Sequence, residues 1–135
     1  MCIRDSGKGA GAVASNTVVG NQAGVTNSTG VNNLYAGQYA GYYATGSSNI
    51  ALGAQALSVA SAGATGSSNT AIGVQSLYSN TTASNNTAVG YQSLYSNTTG
   101  DNNSALGYQA LYSNTGSGQY NNACLLYTSP SPRDS

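Results

Sequence analysis

The side chains able to do chemistry in this chain are hydroxyls, phenols and amides. Tyr occurs 11 times, His is absent, and all three acidic residues are Asp. Ser and Thr become nucleophiles only beside a group that takes their proton, and no His or Glu is present to do so. The residue inventory therefore predicts a non-enzymatic chain. Gly7-Lys8-Gly9 begins like a phosphate-binding loop but lacks the rest of one. Asp101 with Asn102 and Asn103 hints at calcium, yet the Gly/Asp nonapeptide pattern of calcium-binding rolls is missing. No metal and no cofactor is expected.

Two kinds of binding chemistry remain. Tyr78, Tyr91, Tyr95, Tyr108 and Tyr112 recur at fixed offsets, and Tyr39, Tyr42 and Tyr43 form a denser cluster. Rows of Tyr can stack on sugar rings or anchor a protein partner, and they can equally pack between repeats or chains. Asn27-Ser28-Thr29, Asn80-Thr81-Thr82, Asn85-Asn86-Thr87, Asn97-Thr98-Thr99 and Asn102-Asn103-Ser104 match the N-glycosylation pattern. In a chain this rich in Asn, Ser and Thr, such matches arise by chance.

Charge is the scarcest property. Charged residues make up 4% of the 135 residues, against about 25% in an ordinary soluble domain. The formal net charge is zero, so there is no electrostatic footprint for nucleic acid or anionic lipid. No apolar run approaches the ~18 residues that a membrane-spanning helix needs.

The two ends differ in composition from the middle. Both prolines (Pro130, Pro132), both cysteines (Cys2, Cys124), both arginines (Arg4, Arg133) and Met1 lie within 1–6 or 124–135. One back-translation of Met1–Ser6, ATG TGT ATA AGA GAC AG, has a reverse complement that encodes Cys-Leu-Leu-Tyr-Thr, the sequence of Cys124–Thr128. The ends thus resemble the two strands of one inverted, transposon-type sequencing adapter. Residues 1–6 and 124–135 are read as adapter-derived, and 7–123 as an interior fragment of a longer protein.

The elements that position the Tyr and Asn residues are repeats. Gly53-Ala54-Gln55-Ala56-Leu57, Gly73-Val74-Gln75-Ser76-Leu77, Gly90-Tyr91-Gln92-Ser93-Leu94 and Gly107-Tyr108-Gln109-Ala110-Leu111 are copies of one word. Degenerate copies begin at Gly20 and Gly37, and an earlier one at Gly7. Successive key glycines from Gly20 to Gly107 are 17, 16, 20, 17 and 17 residues apart. Four residues before each stands Asn: Asn16, Asn33, Asn49, Asn69, Asn86 and Asn103. Two before is Ala in the last four copies, and one before is apolar. The Asn/Ser/Thr/Gly stretches between absorb the length variation, as surface loops do.

These segments are too short and too Gly-interrupted for helices. Two strands per unit are predicted, Asn86–Val89 and Tyr91–Tyr95 in one copy, with Gly90 at a corner that needs positive φ or close backbone approach. Units of this kind bury no apolar face alone. Stacked at about 4.8 Å they form an all-β parallel β-solenoid or β-roll. Val89 should stack on Ile72 and Leu106 as an aliphatic ladder inside, and Leu94 on Leu77 and Leu111. Small Ala allows a narrow interior, or a second chain packed closely outside. The Asn at the turn should bond its own backbone or form an amide ladder. Like charges stacked every ~4.8 Å would repel, which suits the near-absence of charge. So thin an interior predicts an oligomeric fibre, in which other copies cover the Ala and Tyr faces.

The word Asn86-Thr87-Ala88-Val89-Gly90-Tyr91-Gln92-Ser93-Leu94 resembles the head repeats of trimeric autotransporter adhesins, the YadA-like heads. It is also similar to repeats of phage tail fibres that end in an endosialidase-type intramolecular chaperone. The resemblance covers about residues 15–122 and rests on the Asn-x-Ala-[Val/Ile/Leu]-Gly cores at Asn49–Gly53, Asn69–Gly73, Asn86–Gly90 and Asn103–Gly107. It implies a left-handed β-roll, a homotrimer and an extracellular place on a bacterial surface or virion. A host-surface glycan or protein is the implied receptor. The first two units depart from the pattern, with Tyr35 and Tyr39 at the usual Ala and Gln positions, and disturbed packing is expected there. Two other repeat architectures compete. An ice-binding solenoid needs a flat, even Thr array, and a curli-like amyloid subunit normally carries two Gln per repeat.

Overall fold

The computed structural model describes residues 3–4, 15–27, 29–59, 63–115 and 117–124. The early repeat at Gly7 and the terminal stretches 1–2, 5–6 and 125–135 lie outside the described residues. The described chain is all-β. Its strands are β1 (Ile3–Arg4), β2 (Thr17–Val19), β3 (Leu34–Ala36), β4 (Ile50–Leu52), β5 (Thr70–Ile72), β6 (Thr87–Val89), β7 (Ser104–Leu106) and β8 (Asn122–Cys124). They form one sheet in strand order β1 to β8. β2 to β8 pair in parallel, each with the next, and β1 pairs with β2 antiparallel. The repeat is therefore a β-solenoid, one strand per turn.

The register follows the repeat alignment. Ala51, Ala71, Ala88, Ala105 and Ala123 form one in-register column. Ile72, Val89, Leu106 and Cys124 form the column one residue on. The unit that is 20 residues long puts its extra residues between β4 and β5, outside the sheet, so Ile50 still pairs with Thr70.

Three sequence expectations need correction. The first concerns the number of strands. Thr87–Val89 is a strand, but Tyr91–Tyr95 is a chain of turns, with Gln92 at φ 52° and Leu94 at φ 50°. Positive φ is incompatible with a β ladder, yet the segment still stacks. The Gln92 N–H donates to the Val74 carbonyl of the preceding turn at 3.0 Å, and the Leu94 N–H to the Ala110 carbonyl of the following turn at 2.9 Å. The Gln92 and Leu94 amides point in opposite directions along the axis and the Ser93 N–H between them turns back to the Gly90 carbonyl, so the backbone is satisfied without a second strand.

The second correction reverses the strand's two faces. The Ala column points inward and is 0–2% exposed from Ala51 to Ala105. The Val/Ile/Leu column points outward: Ile72 is 37% and Leu106 53% exposed. The interior is filled instead by Leu57, Leu77 and Leu94 from the turn segment, each at most 2% exposed. With those Leu side chains pointing in, the space opposite takes only a methyl group, and the larger aliphatics are left outside. Leu94 on Leu77, with Leu111 partly buried, is as expected.

The third concerns the irregular early units, which are compensated. Tyr35 takes the Ala place in β3 and is fully buried. The Leu places of the two turns beside it are Gly24 and Gly41. A Cβ on Gly24 would come within 2.8 Å of the Tyr35 ring, and one on Gly41 within 2.7 Å. One ring thus replaces two Leu side chains, and the sheet register continues without a break.

The corner glycine is as the repeat demands. Gly90 has φ 131°, and a Cβ there would sit 2.4 Å from the Gly107 carbonyl oxygen. Gly53, Gly73 and Gly107 have φ 134°, 128° and 124°.

Candidate functional site

Each polar repeat position forms a ladder, and the ladders decide which side chains remain free for a partner. Asn49, Asn69, Asn86 and Asn103 are fully buried. Each presents Oδ1 to the backbone N–H of the corresponding Asn one turn on, at 2.9 Å from Asn69, 3.0 Å from Asn86, 2.8 Å from Asn103 and 2.9 Å from Asn121. Their amide nitrogens donate largely to loop carbonyls, as Asn49 does to Gly66 and Asn69 to Ala83, both at 2.9 Å. The chief bond of each Asn is thus to the next turn's backbone. The positive φ falls on the residue just before, as at Asn85 (59°) and Asn102 (59°). These Asn residues are structural.

Two ladders and one loop closure escaped the sequence reading. Gln109, Gln92 and Gln75 each donate an amide N–H to the Gln side chain of the preceding turn, ending on Gln55, at 2.8–3.0 Å. Ser47, Ser67, Ser84 and Asp101 each accept from a backbone N–H of the preceding turn, at 3.1, 3.1, 3.1 and 2.6 Å. Asp101, the one charged residue of 15–124, thus takes a Ser place. Asn80 and Asn97 close their own loops on the Ala83 and Gly100 carbonyls at 3.0 and 2.9 Å. Their recurrence at fixed distance from the corner glycine was the available signal.

Burial sorts the glycosylation-like matches. Asn27, Asn80 and Asn97 are 6%, 2% and 0% exposed. Asn85 is exposed and Asn102 half-buried.

The Tyr rows stack ring on ring. Tyr78 and Tyr95 have centroids 5.1 Å apart with planes 7° from parallel, and Tyr95 and Tyr112 are 5.0 Å apart at 10°. Tyr91 and Tyr108 are 5.4 Å apart at 12°. Both faces of Tyr95 are covered, so a sugar could not lie flat on it. Desolvation raises the Tyr95 pKa, helped by the neighbouring phenols of Tyr78, Tyr112 and Tyr91. Tyr39, Tyr42 and Tyr43 instead meet edge to face, at 5.3 and 4.5 Å.

Tyr35 is the largest fully buried side chain among the described residues, and it carries a hydroxyl. Its hydroxyl lies near the Asn49 and Asn27 side chains but makes a well-formed hydrogen bond with neither. Burial pushes its pKa well above the ordinary phenol range.

The surface open to a partner is apolar and uncharged. Ile72, Val74, Tyr91, Leu106 and Tyr108 are 37–63% exposed. They flank the corner glycines, one residue before or after. A shallow apolar cavity of about 330 Å³ continues this face between Thr87, Val89, Leu106 and Cys124. Outward Thr70, Thr87 and Ser104 align, but Leu34 and Ile50 separate them from Thr17, so the even Thr row of an ice-binding face is interrupted. Among the described residues no group of three His, Cys, Asp or Glu could hold a metal, and no helix is long and apolar enough to cross a membrane.

No family model matches the chain, and no curated protein or solved structure is detectably similar to it.

Proposed function

We propose that this solenoid is a structural and adhesive fibre segment, a spacer that associates with copies of itself on a bacterial surface or virion. The observation that supports this best is the outward column of exposed Ile72, half-buried Val89 and exposed Leu106, flanked by Val74, Tyr91 and Tyr108. A solenoid with an Ala-lined interior buries little apolar area per turn, and an outward aliphatic stripe is what a neighbouring copy would cover. The resemblance to YadA-like heads implies a left-handed trimer, with receptor contacts carried by the Asn/Ser/Thr loops and the Tyr rows. Light scattering and chemical cross-linking of the chain test this, with a trimer expected. Val89→Lys with Leu106→Lys should leave a folded monomer, because both side chains point away from the interior. A wild-type chain that stays monomeric at high concentration overturns the reading.

The Gln ladder and the parallel, in-register stack favour one second reading, a curli-like amyloid subunit. Thioflavin-positive fibres that grow from seeds would select it over a closed trimer.

A further inference from the structure

We infer that the Tyr78–Tyr95–Tyr112 column is an oxidative cross-linking site, where peroxide and a haem peroxidase would join adjacent turns through a dityrosine bond. The three rings stack at 5.0–5.1 Å with planes within 10° of parallel. Each phenol is half-buried, open enough to give up a proton and too enclosed to meet a ring of another molecule easily. The sheet register and the hydrogen bonds of the turn segment hold all three in line. A radical on Tyr95 would therefore have a neighbouring ring on each face, at an effective concentration no second molecule in dilute solution could match.

The step balances. Each of two phenols loses one electron and one proton, giving two phenoxyl radicals. Their ring carbons ortho to oxygen join in one carbon–carbon bond, and the two displaced ring hydrogens move to the oxygens, restoring both phenols. Hydrogen peroxide takes up the two electrons and two protons and leaves as two waters. The product would staple loops of 17 residues, the distance from Tyr78 to Tyr95 and from Tyr95 to Tyr112. It would restrict the unfolded chain much as a disulfide does. The inference does not depend on self-association.

The test treats the full chain at low concentration with hydrogen peroxide and horseradish peroxidase. Dityrosine fluorescence in the monomer band is expected. Peptide mass mapping should find Tyr95 joined to Tyr78 or Tyr112 with the loss of two hydrogens, and the oxidised monomer should melt at a higher temperature. Tyr95→Phe should abolish coupling within this column, while Tyr112→Phe should keep the Tyr78–Tyr95 product. Circular dichroism checks that both variants fold. Coupling only between chains overturns the inference. So does coupling confined to Tyr91–Tyr108 or to the Tyr39, Tyr42 and Tyr43 cluster, or a product yield unchanged by Tyr95→Phe or by prior unfolding in denaturant.

Discussion

At Tyr35 the chain buries a phenol whose hydroxyl has no well-formed hydrogen bond. Removing an unpaired buried hydroxyl costs little, because the penalty lies in having desolvated it. Tyr35→Phe should therefore leave stability at neutral pH unchanged or slightly raised in urea unfolding. The pH dependence has a definite sign. Burial raises the folded Tyr35 pKa above the ordinary phenol value of about 10, so above that pH the unfolded chain releases a proton that the folded chain keeps. Tyr35 should thus have no effect on the pH dependence at neutrality and cost stability as pH rises through about 10. Thermal melts between pH 7 and 11 should show a shallower alkaline decline in Tyr35→Phe than in the parent.

The Asn ladder behaves differently, since every member serves a neighbour's backbone. Asn86→Ala removes the acceptor of the Asn103 N–H, which is buried mid-stack. An unsatisfied buried amide costs about 1–3 kcal/mol, which should appear as a lower urea midpoint. Gly90→Ala should cost at least as much, since its Cβ meets the next turn's carbonyl and its φ is 131°.

At the scale of the repeating turn, volume is conserved between two segments. The inward strand position and the inward turn position share one space, filled as Ala with Leu in the regular turns or as Tyr35 with Gly24 and Gly41 in the early ones. Tyr35→Ala alone should open a cavity and cost about 3–5 kcal/mol, as large aromatic deletions do. Adding Gly24→Leu and Gly41→Leu should recover much of that loss. Gly24 and Gly41 have φ 55° and 60°, close to the 50° at which Leu57, Leu77 and Leu94 already sit. Denaturant unfolding of the single and triple variants measures the coupling, and simple additivity would count against shared volume.

Across the whole molecule the scarcity of charge becomes a property of the stack. Asp101 is the only charged residue of 15–124, so the turns of that stretch hold no ion pair among themselves. The thermal midpoint should change little with sodium chloride from about 0.01 to 0.15 M, a range over which the screening length falls from about 30 to 8 Å. A large shift would point to charge interactions that the stack lacks. The outward aliphatic column sets the other whole-molecule property, since a chain with no net charge and an exposed apolar stripe has little to oppose self-association.

The sequence by itself determined the turn, its register and its corner. Asn86, Ala88, Gly90 and Leu94 recur with their counterparts because every copy must meet its own kind one turn away. Aligning the glycines was therefore equivalent to aligning the strands. Only the tertiary structure decided which face of the strand points in. Alternation shows that Ala88 and Val89 lie on opposite faces, and it leaves open which face is inside. Hydrophobicity alone favours the larger side chain. The outcome turns on Leu94, which enters from a turn segment at φ 50°, a conformation rarely adopted by Leu, and leaves room opposite it for a methyl group alone.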